Sequence, residues 1–417
     1  MHTALDHRDT AALAAIRASA LDARLGDARV LVLDADTGAP LLRLADERAG
    51  ETASVMKTIT AAAALHVLGP EHRITTRVLA GSMPGEIVLV GGGDVTLSSV
   101  SGDGSTFYPG PARLERLADL TLQATGAPPT RIIVDDSLFT GDGWHPDWHP
   151  SGRRPDGYMP VISALQVDGD RDDPAVDDSS RSEDPVARAS TAFAAFLGGE
   201  PQIVRGRAPA DSPCLASVQS PPVEVLVRET LRSSDNALAE ALARLTAHAL
   251  GETTDFAGAA RALRSLLRGF GVPVEGVELV DGSGLSHRIR VPATTVADLL
   301  RRARLREGVL GMLDDRLPRS GPEGTMSATR FTGDNEIVGD AVRGKTGFIG
   351  SVHSLAGVVR TVGGSDLIFA VFAMGENMKP DDPAKAAVDD FVTRLHLNGD
   401  ALLRSTVPIA LDDTQRL

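Results

Sequence analysis

Apolar and polar positions first form a clear pattern at 29–42, where Val30-Leu31-Val32-Leu33 runs apolar, Asp34-Ala35-Asp36-Thr37-Gly38 interrupts, and Pro40-Leu41-Leu42 resumes. A β-branched run, turn residues and a second apolar run predict an antiparallel hairpin. From Thr52 to Leu68 the pattern changes to a helix, with Thr52 at the cap, alanine through the middle and Gly69-Pro70 as the stop. That helix is apolar almost all round, which predicts burial. Between about 73 and 215, short strand-like pieces such as Glu86–Val90 and Arg131–Val134 alternate with clusters of Gly, Asp, Ser and Pro. Helical patterning returns at Val223–Leu250 and Phe256–Phe270. The final third alternates a helix (Thr294–Leu305) with strands (Ala341–Arg343, Val352–Arg360, Ser365–Ala373) and ends in a helix, Pro383–Leu395. No internal repeat is evident.

A length of 417 residues predicts two or three domains. Lys plus Arg number 42 against 56 Asp plus Glu, a formal charge of −14, so an electrostatic grip on nucleic acid is excluded. Residues 168–184 hold eight acidic residues and two Arg and contribute −6 of that charge; like charges stay hydrated, so a solvated loop is expected there. Cys214 stands alone, which leaves no disulfide framework and no thiolate metal site, and it is expected as a small buried residue. No metal and no cofactor is expected. No run of eighteen apolar residues occurs, and Met1–Asp9 lacks the basic and apolar regions of a secretory signal, so neither a transmembrane segment nor a signal peptide is expected in the chain.

Three short motifs carry candidate chemistry. Ser54-Val55-Met56-Lys57 sets a hydroxyl and an amine three residues apart on a helix, within about one turn of each other. A serine needs an adjacent base to become a nucleophile, and a lysine serves only if burial or neighbouring positive charge keeps it partly neutral. Ser234-Asp235-Asn236 follows, just as an Ala-Leu helix proceeds. Then Lys345-Thr346-Gly347 lies in a strand-like stretch, where the glycine allows another molecule to approach the backbone. Each motif alone has an ordinary structural explanation: chance spacing, a capping turn, a strand–turn junction.

Together and in order, Ser-x-x-Lys, Ser-x-Asn and Lys-Thr-Gly are the signature set of penicillin-binding proteins and serine β-lactamases, and the chain resembles that superfamily. Lys57 and Ser234 stand 177 positions apart, so a large insertion separates the first two motifs. Leu33-Asp34-Ala35-Asp36-Thr37-Gly38, Gly91-Gly92-Gly93-Asp94, Val134-Asp135-Asp136-Ser137, Val161-Ile162-Ser163-Ala164-Leu165 and Asp281-Gly282-Ser283-Gly284-Leu285-Ser286 narrow the resemblance. It becomes that of the class C low-molecular-mass penicillin-binding proteins, the D-alanyl-D-alanine carboxypeptidase/endopeptidases, over roughly residues 28–395. The implied fold is α/β (α+β): a transpeptidase/β-lactamase-like domain with an antiparallel sheet flanked by helices. It would be built from residues 1–72 and 216–417, with one or two β-rich modules inserted at 73–215.

The resemblance also implies roles. Ser54 is then the nucleophile, Lys57 the acylation base, and Ser234 the proton relay to the leaving amine. Asn236 hydrogen-bonds the substrate amide and helps to hold Lys57. Lys345 and Thr346 bind the terminal carboxylate, Lys345 also adding positive charge beside Lys57, and the backbone N–H groups of Ser54 and Phe348, the latter next to Gly347, form the oxyanion hole. The implied ligands are peptidoglycan peptides ending in D-Ala-D-Ala and β-lactam antibiotics, and the implied location is extracytoplasmic. Two departures concern the side-chain pocket: His287 follows Asp-Gly-Ser-Gly-Leu-Ser where related sequences often carry Arg, with Arg288 next, and Phe348 follows Lys-Thr-Gly where smaller or hydroxyl residues are common. A β-lactamase or esterase on the same scaffold, or a non-catalytic wall-binding scaffold, are the alternatives. Trp144-His145-Pro146-Asp147-Trp148-His149-Pro150 is expected as a packed loop rather than a metal site, because no further ligand pair accompanies it.

Overall fold

The structure, a computed structural model, describes residues 7–321, 324–327 and 330–412. The chain divides into two compact units, one of Met1–His66, Thr230–Ser234 and Ala260–Leu417, the other of Val67–Glu229 and Asp235–Ala259. Residues 216–229 and 235–259, expected with the catalytic part, fall in the second unit.

In the first unit the predicted hairpin forms from Asp27–Asp34 and Pro40–Leu44. Asp34 makes its turn: Oδ1 accepts from the Asp36 N–H at 2.9 Å and Oδ2 from the Thr37 hydroxyl at 2.8 Å. Asp27–Asp34 also pairs antiparallel with Asp366–Met374, which pairs with Val352–Arg360, which pairs with Val342–Ile349. Ile409–Leu411 adds a sixth strand at the far edge, parallel to Pro40–Leu44, too short to leave a pattern in the sequence.

Alternate residues of these strands face opposite sides. Val30, Val32, Phe369 and Val371 join Ile16 of helix His7–Ala20 and Phe391 and Leu395 of helix Pro383–Arg404 in one buried cluster. The residues between them, Leu31, Leu33, Ile368, Ala370 and Phe372, are buried as well, and helix Ala293–Arg304 packs on the same two strands. Cover on both faces explains why these strands read as unbroken apolar runs. The strand-like stretch around Lys345-Thr346-Gly347 is one strand, Val342–Ile349, continuous with the strand expected at 341–343.

The second unit holds a five-stranded sheet in the order Gln202–Arg205, Arg131–Asp135, Glu86–Val90, Arg73–Ala80, Cys214–Pro222. The first three strands run parallel. Two helices not expected from the sequence, Leu114–Thr125 and Pro185–Leu197, bury Leu117, Ala118, Phe193 and Leu197 against Ile87, Leu89, Ile132 and Val134 of this sheet. Leu114–Thr125 lacks a side-chain cap at Arg113, which removes the usual start signal.

Three expectations are corrected here. Residues 168–184 are solvated only in part: Asp172, Asp173, Asp177, Asp178, Glu183 and Asp184 are exposed, whereas Asp168, Asp170, Arg171 and Arg181 are buried. Each has partners: Asp168 accepts from Ser99, Asp170 from Ser182, and Arg181 donates to the carbonyls of Gly157 and Gly169. Cys214 is exposed rather than buried, because it opens an edge strand. The helix expected over 223–250 is two helices, Val223–Arg232 and Asn236–Ala249, broken where Ser234 takes a left-handed φ of +62°. The 144–150 segment is an aromatic cluster, with Trp144 and Trp148 edge to face at 5.4 Å and His145 edge-on to Phe256 at 4.8 Å.

Helix Pro383–Arg404 is the longest element on the first sheet, and Phe391, fully buried, lies in the middle of its apolar face. Phe391→Ala is expected to destabilise the first unit by about 3–5 kcal/mol through the cavity it leaves, seen as a lowered denaturant midpoint; an unchanged midpoint would contradict this packing.

Candidate active site

The nucleophile candidate sits on a different element from the one expected. Ala53–Met56 is a 3₁₀ turn, and the α-helix starts only at Lys57, running to Val67. Thr52 does not cap it by side chain, and Ala53 has a left-handed φ of +43°. The strained backbone at Ala53 turns Ser54 back over the first helical turn. Lys57 Nζ then lies 2.7 Å from Ser54 Oγ, with Ser54 half-buried and Lys57 wholly buried.

Lys57 is held from a second direction. Its Nζ donates to the carbonyl of Ser283 at 2.6 Å, and one helical turn on, the Thr60 hydroxyl donates to the carbonyl of Gly282 at 2.7 Å. The Asp281 carboxylate shapes the loop that presents both carbonyls, accepting from the N–H groups of Gly284 and Ser286 at 2.7 Å each. Gly284 has a φ of +88° and comes so close to the Ala53 carbonyl that a Cβ there would lie 2.0 Å from its oxygen. The Asp-Gly-Ser-Gly-Leu-Ser element, noticed in the sequence only as a family mark, is thus the clamp on Lys57.

The Lys-Thr-Gly strand passes on the other side of the same turn. A Cβ on Gly347 would stand 2.3 Å from Ser354 Oγ, 2.8 Å from the Thr52 carbonyl and 2.9 Å from the Ser54 backbone nitrogen, so only glycine fits. Ser354 Oγ donates to the Thr52 carbonyl at 2.7 Å, and Glu51 accepts from the Ser351 hydroxyl. These contacts tie the residues before Ser54 to the hairpin Val342–Ile349/Val352–Arg360. Lys345 is buried and donates to the Thr346 carbonyl at 2.8 Å. Burial first, then the charges of Lys57 and Arg330, push the Lys345 amine well below its ordinary value. Lys345 and Lys57 are thus two buried amines whose proton affinities are coupled.

Ser54, Lys57, Ser234, Lys345, Thr346, Gly347, Phe348, His287 and Arg288 all belong to the first unit. Ser234 is half-buried at its left-handed φ, an outlier of the sort that clusters at functional sites. Phe348 is 37% exposed and stacks flat on His353, ring centroids 4.6 Å apart. His287 and Arg288 are exposed at the tip of the clamp loop.

Asn236 belongs to the second unit, where it opens helix Asn236–Ala249 and donates through Nδ2 to the Tyr158 carbonyl at 3.0 Å. Its neighbour Asp235 caps that helix through the Leu238 N–H at 2.7 Å and accepts from Tyr108 Oη at 2.9 Å and Arg171 Nη2 at 3.0 Å. Burial raises the Asp235 pKa, but the Arg171 charge and the capping bond outweigh it and leave the carboxyl below its usual range. The Arg171 guanidinium also lies over the rings of Phe107 and Tyr108, 4.1 and 4.8 Å from their centroids. Nothing in the sequence marked Arg171 beyond its place in an acidic run.

The chain matches the D-Ala-D-Ala carboxypeptidase 3 (S13) family over residues 12–197 and 179–395. It belongs to that family. It is a serine-type D-Ala-D-Ala carboxypeptidase, a hydrolase of the low-molecular-mass penicillin-binding class. Among its relatives, Carboxypeptidase DacB of Mycolicibacterium smegmatis is 37% identical over 82% of this chain and 75% of that one. A carboxypeptidase of Mycobacterium tuberculosis is 36% identical over 94% and 84%. Penicillin-binding protein 4 from Haemophilus influenzae shares the fold, with a TM-score of 0.71 at 19% identity over 90% of this chain and 98% of that one. The α+β architecture read from the motifs is therefore the family's, and no helix among the described residues is long and apolar enough to cross a membrane.

Burying the Lys345 charge costs stability. Its folded pKa lies below the unfolded 10.5, so the cost is full at low pH and is relieved as pH rises from the depressed value toward 10.5. Lys345→Met is accordingly expected to melt at a higher temperature than the native enzyme at pH 7, with a gain that shrinks as pH climbs to 10. A difference independent of pH would contradict the charged, buried state.

Proposed function

We propose that Ser54 is the residue acylated in the carboxypeptidase reaction and that Lys57 is its base. The observation that carries this reading is the 2.7 Å approach of a fully buried Lys57 Nζ to Ser54 Oγ, a distance at which the hydroxyl proton passes directly to the amine. Ser54 Oγ attacks the carbonyl of the penultimate D-Ala, and Lys57 takes the proton. The tetrahedral oxyanion is stabilised by the backbone N–H groups of Ser54 and Phe348, and the closeness of Ser54 N to Gly347 supports that pairing.

Collapse of the intermediate breaks the peptide bond, and Ser234 relays a proton to the departing amine of the terminal D-Ala. Water then hydrolyses the ester, releasing the shortened peptide and restoring the Ser54 hydroxyl. Lys345 and Thr346 hold the terminal carboxylate, and His287 and Arg288 meet the side chain of the stem peptide. The substrates are peptidoglycan peptides ending in D-Ala-D-Ala, β-lactams acylate the same serine, and the enzyme works outside the cytoplasm, where that substrate lies. Family membership and the buried amines of Lys57 and Lys345 support these assignments.

Release of D-Ala from a D-Ala-D-Ala peptide tests the reading. The native enzyme is expected to release D-Ala and Ser54→Ala to lose about 10⁴-fold or more in kcat. Release by Ser54→Ala at the native rate would overturn the assignment.

A further inference from the structure

Thr346 is not the last hydroxyl on its side of the strand. Its Oγ1 donates to Thr325 Oγ1 at 2.7 Å, and both residues are half-buried. The next side chain on that face of the strand is Phe348, which carries no donor and lies against His353.

Thr325 is held firmly in place. It occupies the 3₁₀ turn Gly324–Met326, whose Met326 is fully buried in the first unit's core. The Gly321 N–H donates to the Met326 carbonyl at 3.2 Å, and the Ser327 N–H to the Gly324 carbonyl at 3.1 Å. The preceding residues are laced to the strand, Ser320 N–H to the Val342 carbonyl at 2.8 Å and Gly344 N–H to the Pro318 carbonyl at 3.0 Å. On its other side the turn presses on the segment leading to Ser234, since a Cβ on Gly324 would lie 1.9 Å from the Arg232 carbonyl oxygen. A flexible surface threonine would show none of this.

We propose that Thr325 is a positioning and specificity residue for the ligand's carboxylate, acting through Thr346. This rests on the reading that Thr346 binds that carboxylate. A hydroxyl has one proton and two acceptor sites. In the unliganded enzyme Thr346 gives its proton to Thr325. When a carboxylate arrives, Thr346 turns its proton to the anion, and Thr325 reverses to donate its own into Thr346 Oγ1. The two hydroxyls then form a chain that ends on the negative charge, and each bond polarises the next. Without Thr325, Thr346 keeps its proton but loses the partner that aims its oxygen.

The test compares benzylpenicillin with its methyl ester, which lacks the carboxylate, as acylating agents followed by intact mass. Thr325→Val keeps the shape and removes the hydroxyl. It is expected to slow acylation by benzylpenicillin about tenfold, the size of a lost hydrogen bond to a charged group, and to leave the ester rate unchanged. On a D-Ala-D-Ala peptide it raises KM about tenfold with little change in kcat, and Thr325→Ser restores native values. Equal slowing of penicillin and ester, or no slowing of either, overturns the proposal. Thr346→Val separates the two ideas. If it slows penicillin selectively and Thr325→Val does not, only this inference fails. If Thr346→Val shows no selective loss, the carboxylate reading beneath it fails as well.

Discussion

A buried lysine needs something to hold it, and in this enzyme the hold on Lys57 organises the rest of the first unit's site. Its amine bridges Ser54 Oγ and the Ser283 carbonyl. The first contact requires the 3₁₀ turn with its left-handed Ala53, and the second requires the Asp281 loop with its left-handed Gly284. The two left-handed positions meet, since Gly284 lies against the Ala53 carbonyl, and only the alanine carries strain there. Conformational cost is concentrated where the chemistry is, and buried neighbours keep the strained turn in place.

The Lys-Thr-Gly strand is fitted to this turn from the opposite side. Gly347 is required by the Thr52 carbonyl and Ser54 nitrogen, while Ser354 and Glu51 bind the residues just before Ser54. Lys345 brings a second buried amine near the first, and its depressed proton affinity reflects burial and then the charge of Lys57. Stability is given up at these positions to bury two amines side by side in a protein of net charge −14.

Much of this was legible in the sequence because the motifs are local and ordered. Ser54, Lys57, Lys345 and Thr346 each announce themselves by spacing, and the strands of the first sheet by unbroken apolar runs. Other parts depend on contacts between residues far apart in the chain, which no local pattern encodes. The carbonyl of Ser283 acts through its backbone, so its residue type reveals nothing. Arg171 reads as one cation in an acidic run, yet it is buried against Asp235, 64 residues away. Thr325 is an unremarked threonine until the fold sets it beside Thr346. Helices Leu114–Thr125 and Pro185–Leu197 were hidden because the Gly- and Pro-rich segments around them suggested strands alone.

The central claim is that Lys57, clamped by Ser54 and Ser283, is the group that makes Ser54 reactive. The most direct measurement is the time course of covalent benzylpenicillin adduct by intact mass for the native enzyme and for Lys57→Met, with folding of the variant checked by circular dichroism. The account predicts a folded variant whose acylation is slower by about 10³-fold or more, with the residual adduct still on Ser54. Acylation of folded Lys57→Met at the native rate would contradict it.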